Sequence, residues 1–188
     1  ITYDPSNGYI YVTNCESNTV SVIDPATNQV IANINVGEQP GSIVYDPSNG
    51  YLYVTNWRSN SVSVINPSTN RVIATIPVGN EPFGITYDPS NGYIYVADCG
   101  SNKVSVIDPS NLTVITDIGV GSFPKCIVYD SGNGYIYVDD GSNSVCVIDP
   151  ATNQVIANIT VGNYPIGIAY DPSNGYIYVA DWGSGTIS

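Results

Sequence analysis

The chain reads as an all-β protein, a β-propeller built from four-stranded antiparallel blades. Three observations predict this. The sequence repeats in tandem with a period of about 42 residues. Each repeat holds several short runs rich in Tyr, Ile and Val. Turn residues separate those runs at fixed places. The phrase YDPSNGYIYV stands at Tyr3–Val12, Tyr87–Val96 and Tyr170–Val179, with near copies from Tyr45 and Tyr129. Units therefore start at about residues 3, 45, 87, 129 and 170.

Within the first unit, the runs Tyr9–Asn14, Thr19–Ile23 and Val30–Val36 are too short for helices, and Ser42–Tyr45 leads into the next unit. Asp4-Pro5-Ser6-Asn7-Gly8 is a tight turn: Pro presets φ, and Asn-Gly accepts a positive φ. Asp24-Pro25-Ala26-Thr27-Asn28 repeats that logic after the third-strand run. Pro40, Pro82, Pro124 and Pro165 mark the step into the next innermost strand. This punctuation leaves no room for a helix. Fifteen of the 16 Tyr fall on the Tyr3, Tyr9 and Tyr11 positions of the repeat, which assigns them to the packing between blades.

Unit counting gives about four and a half blades, hence an incomplete ring. Residues 1–188 then form a single propeller domain or part of a larger one. The missing blades would come from further chain or from other copies.

Four antiparallel strands place the loops at alternate ends. The DPSNG and DPATN turns share one end, where the recurring Asp side chains are expected to accept backbone N–H bonds. The other end varies. It carries Trp57, Arg58, Glu81, Phe83, Phe123, Lys125, Tyr164 and Trp182, and it is the expected binding end. Trp57 and Trp182 have two readings there, as anchors for a protein or glycan or as plugs between blades.

The net charge of −12, with four basic residues and no His, excludes a phosphate-binding stripe and a Ser-His-Asp triad. No apolar run is long enough to insert in a membrane. Cys99 and Cys126 fall on neighbouring blades at similar height, which makes them the expected disulfide. Asn111 and Asn158 head glycosylation sequons. Asp98, Asp140 and Asp181 end inner strands at equivalent positions. They are the candidates for a Ca²⁺ site in the channel; the plainer reading is a repeated strand-end hydrogen bond.

The strings Tyr11-Val12-Thr13-Asn14 and Tyr53-Val54-Thr55-Asn56 carry a family likeness, as do the YVAD forms at Tyr95 and Tyr178. The chain resembles the YVTN-repeat propellers of archaeal surface-layer-type proteins, within the wider seven-bladed lactonase and NHL-like group. That resemblance implies seven blades, an extracellular or cell-surface location and a non-catalytic structural or adhesive role with protein or glycan partners. A lactonase-like or other metal-dependent hydrolase, and an intracellular scaffold, stand as alternatives.

Overall fold

The computed structural model describes residues 1–188. Nineteen strands form five sheets. The first blade runs β1 (Thr2–Asp4), β2 (Tyr9–Asn14), β3 (Thr19–Asp24) and β4 (Gln29–Asn35). The second runs β5 (Pro40–Asp46), β6 (Tyr51–Asn56), β7 (Ser61–Asn66) and β8 (Arg71–Pro77). The third holds β9 (Pro82–Tyr87), β10 (Ile94–Asp98), β11 (Lys103–Asp108) and β12 (Thr113–Gly119). The fourth holds β13 (Ile127–Tyr129), β14 (Ile136–Asp139), β15 (Ser144–Asp149) and β16 (Gln154–Thr160). The fifth has three strands, β17 (Pro165–Asp171), β18 (Tyr176–Asp181) and β19 (Thr186–Ile187). All neighbours pair antiparallel in sequence order.

Unit counting is corrected here: the sheets number five, because Thr186–Ile187 already pairs with Ala180 and Asp181 as a third strand. They are also not seven. A single 3-10 turn, Cys99–Ser101, is the one helical element.

The core lies between blades. Tyr11, Val20, Val22 and Ile34 of the first blade pack against Ile43, Leu52, Val54 and Ile65 of the second. The same positions recur between the second and third blades and between the third and fourth. Burying each such side chain contributes roughly 2 kcal/mol, so a small sheet gains most of its stability from its neighbour. The first strands of successive blades touch one another, which puts them nearest the axis.

Two details add to the expected blade. Thr13 donates to the Gly41 carbonyl at 2.7 Å and Thr55 to the Phe83 carbonyl at 2.8 Å, so the Thr of YVTN ties each of these blades to the next. The outermost strands each carry a bulge. Val22 pairs with Ala32 and Ile23 with Val30, leaving Ile31 as the extra residue. Ile73, Ile115 and Ile156 are extra in the same way, and all four are exposed. A bulge bends and twists the outer edge, which blunts pairing with another sheet.

Candidate functional site

At the turn end the Asp and Asn side chains are engaged in local hydrogen bonds, although the second carboxylate oxygens of Asp4, Asp46 and Asp88 are buried without a partner. Asp4 Oδ1 accepts both the N–H (2.8 Å) and the hydroxyl (2.7 Å) of Ser6. Asn7 accepts the Tyr9 N–H through Oδ1 and donates through Nδ2 to the Tyr11 hydroxyl, each at 2.9 Å. The Asn bonds recur in the other four units, as does the Asp-to-backbone bond. Burial, only partly offset by these Asn donors, pushes the Tyr53 and Tyr95 hydroxyls up to about 12. They stay neutral framework groups at any ordinary pH.

The variable end is framed differently. Gln39, Glu81, Phe123 and Tyr164 precede the prolines of the four blade-to-blade loops. All four have left-handed backbones, with φ between 52° and 54°. The frame holds them there. The Gln39 N–H is accepted by Asn18 Oδ1 of the preceding blade (2.8 Å), and the Gln39 carbonyl accepts the Trp57 N–H of its own blade (3.0 Å). Asn60 clamps Glu81 and Asn102 clamps Phe123 likewise. Tyr164 bonds the Ser142 carbonyl instead, because the fourth blade's loop is one residue shorter. Ser59, Ser101 and Ser184 accept the preceding N–H groups of these loops. The frame is thus backbone plus a recurring Ser-Asn, and it does not draw on the side chains at the Gln39 and Trp57 positions; Gln39 Oε1 is left to accept the Arg58 Nε–H at 3.2 Å.

These side chains gather in two clefts. Between the second and third blades, Trp57, Arg58, Glu38 and Glu81 line a 550 Å³ hollow. Trp57 meets Phe83 edge-on, with ring centroids 5.6 Å apart, so it does close a gap between blades. Between the fourth and fifth blades, Phe123, Lys125, Tyr164 and Ile166 line a 350 Å³ hollow. Trp182 stands beside it, 6.5 Å from Tyr164 and nearly perpendicular to it. Trp182, Tyr164 and Phe123 are 72%, 59% and 58% exposed. The expected binding residues therefore form two groups and not one continuous patch.

The strand-end carboxylates follow the plainer of their two readings, a repeated hydrogen bond within the blade. Asp98 Oδ2 accepts the Ser105 hydroxyl of the next strand outward at 2.6 Å. Asp181 accepts Ser188, and Asp140 accepts Ser142 and Ser144. Each carboxylate points across its own blade, since the end of the second strand faces the third strand and not the axis. Gly79, Gly121 and Gly162 sit so close to these groups that a Cβ there would come within 2.6 Å of them. Nowhere do three or more His, Cys, Asp or Glu side chains gather. Burial pushes Asp98 and Asp139 up to about 6, against the lowering effect of their hydrogen bonds. Asp140 goes the other way: burial raises it, but the Ser144 and Ser142 bonds outweigh that and hold it below the usual range.

The Cys99–Cys126 disulfide is corrected: all four cysteines are free thiols. Cys126 Sγ donates to the Ile166 carbonyl of the fifth blade at 3.2 Å, away from the third blade where Cys99 is buried. Burial, and then the Asp139 carboxylate, pushes the Cys126 thiol up to about 12, which suppresses the reactive thiolate. Asn111 lies in an exposed turn and bonds its own Thr113; Asn158 lies exposed on β16.

The model of the YNCE-like β-propeller matches residues 4–98. The chain belongs to the YNCE-like β-propeller family. No curated protein matches it. Among solved structures it is similar to hydrazine synthase of Kuenenia stuttgartiensis, at 29% identity and a TM-score of 0.87. That match covers 95% of this chain and 54% of the other, so this chain spans about half its length. It is also similar to virginiamycin B lyase from Staphylococcus aureus, at 18% identity and a TM-score of 0.83, over 100% of this chain and 67% of that one. A protein of unknown function from Desulfotomaculum acetoxidans shares 16% identity and a TM-score of 0.71, over 87% and 58% of the two chains. The last two likenesses speak to the fold alone.

Proposed function

We propose that this YNCE-like propeller is a non-catalytic recognition module of the cell surface, binding protein or glycan partners through its variable end. One observation carries the reading. A side chain at left-handed φ costs about 1 kcal/mol or more that glycine avoids. Yet all four blade-to-blade loops carry Gln, Glu, Phe or Tyr there. Such strain is retained where the side chain has a task. The hydrolase alternative needs a converging carboxylate set, and its candidates Asp98, Asp140 and Asp181 are engaged inside separate blades. The test is a pull-down from envelope extract with the wild-type chain and a Gln39→Gly, Glu81→Gly, Phe123→Gly, Tyr164→Gly variant. Capture that survives the quadruple change sinks the reading.

The same reading includes further blades of this repeat over the outward faces of the first and fifth blades. Tyr178 is 40% exposed, whereas its equivalents Tyr11, Tyr53 and Tyr95 are fully buried between blades. Light scattering on the isolated chain tests this. Association that Tyr178→Lys abolishes is expected, and a stable monomer argues against it.

A further inference from the structure

We infer that the hollow between the fourth and fifth blades is a stacking site for the pyranose rings of a neutral glycan, with Phe123 and Tyr164 as its walls and Trp182 as an outer platform. This rests on the recognition reading and names its ligand class.

Three features build the site. The first is preorganisation. A Cβ on Gly141 would lie 2.8 Å from Phe123 Cβ, and one on Gly183 would lie 2.9 Å from Tyr164 Cδ2. The Tyr164 ring thus rests on the Gly183 backbone and the Phe123 Cβ on that of Gly141, at approaches only glycine permits, while the left-handed loop fixes each root. A ring held this way loses little freedom when a ligand stacks on it. The position equivalent to Gly183 is Glu16 in the first blade, Arg58 in the second and Gly100 in the third, where the glycine faces Asn80 and Glu81 and not an aromatic ring.

The second feature is size. A 350 Å³ hollow falls within the roughly 300–1,000 Å³ range of small-ligand pockets. The third is chemistry. Sugar rings present C–H faces that stack on aromatic faces, and hydroxyls that need hydrogen-bond partners. Phe123 and Tyr164 supply the faces. Ser122, Ser142 and Lys125 supply polar groups on the same rim. The net charge of −12 repels polyanionic chains, which leaves neutral ones.

The experiment titrates the chain with maltohexaose, cellohexaose, chitohexaose and mannohexaose, read by tryptophan fluorescence and calorimetry. At least one is expected to bind with Kd of about 1 mM or tighter and to shift the Trp182 emission. Tyr164→Ala and Phe123→Gly should each weaken it about tenfold. Glycine is the residue the left-handed loop accepts most easily, so Phe123→Gly removes the ring without unfolding the loop. Gln29→Ala, exposed at the opposite, turn end of the first blade, should leave binding unchanged. No binding by any of the four at ~10 mM overturns the inference. So does binding that ignores Tyr164→Ala and Phe123→Gly. If a protein partner is captured in a manner sensitive to those variants while no sugar binds, the glycan assignment falls and the recognition reading stands. If neither is found, both fall.

Discussion

Replacing Asp98 by Asn should stabilise the protein at neutral pH and flatten its pH dependence. Asp98 is fully buried at the end of β10, and burial pushes its carboxyl from 3.8 to about 6. A folded-state value raised above the unfolded one means the folded protein binds the proton more tightly. The stability that proton contributes is full below about 3.8 and is lost as pH rises through about 6. A shift of two units corresponds to about 3 kcal/mol. Asp139, also raised to about 6, adds a second contribution of the same sign. The wild-type chain should therefore gain stability between pH 7 and pH 4.

The repeat itself shows that Asn is accommodated. Asn56, equally buried at the same position one blade earlier, donates to the Ser63 hydroxyl at 2.9 Å. Ser105 stands where Ser63 does, and it can turn its proton toward Asp117 Oδ1, 3.1 Å away. Lys103 keeps its 2.7 Å ion pair with Asp117. Asp98→Asn should raise stability at pH 7 by about 2 kcal/mol and leave it nearly unchanged at pH 4. Urea denaturation followed by Trp57 and Trp182 fluorescence reads both values. A variant less stable than wild type at pH 7, or one with the wild-type pH slope, refutes the reasoning.

Gly84→Ala should cost several kcal/mol, because its Cβ would run into the Lys125 carbonyl at the seam between the third and fourth blades; thermal melting checks this. Thr55→Val should cost about 1–2 kcal/mol in urea titrations. It strands the Ser42 N–H at 2.9 Å and removes the bond to Phe83. Thiol titration in denaturant without reductant should find all four cysteines free, and adding reductant should leave the melting temperature unchanged.

Much of the blade was legible from local signals. The runs at Tyr9–Asn14, Thr19–Ile23 and Val30–Val36 became β2, β3 and β4 within one residue at each end. The turn aspartates do accept backbone N–H groups, because an Asx turn is complete within a few residues. What escaped depends on partners far away in sequence. The bulge at Ile31 is a matter of register, visible only as a Val-Ile-Ala run that breaks strict alternation. The left-handed state of Gln39 is imposed by Asn18 and Trp57, about twenty residues off on either side. The direction of Cys126 Sγ depends on how the fifth blade docks, so height along the axis was not enough to pair it with Cys99.

The contrast between the two ends follows from which groups do the holding. At the turn end, side chains carry the frame: Asp4, Ser6, Asn7 and Tyr11 spend hydrogen-bonding groups on one another or on local backbone. A substitution there strands a partner in or near the core, at about 1–3 kcal/mol. Divergence is penalised in every unit. At the variable end, the frame is made of backbone groups and the Ser-Asn pair, so the residues at positions 57, 123, 164 and 182 change without breaking a side-chain hydrogen bond, and Gln39 gives up only an exposed one to Arg58. Freedom to vary does not by itself create a site. Glycine would relax every one of the four left-handed loop positions, and none of the four carries it. The end that is free to become featureless has instead collected both Trp and both Phe of the chain, and that asymmetry supports the proposal of recognition there.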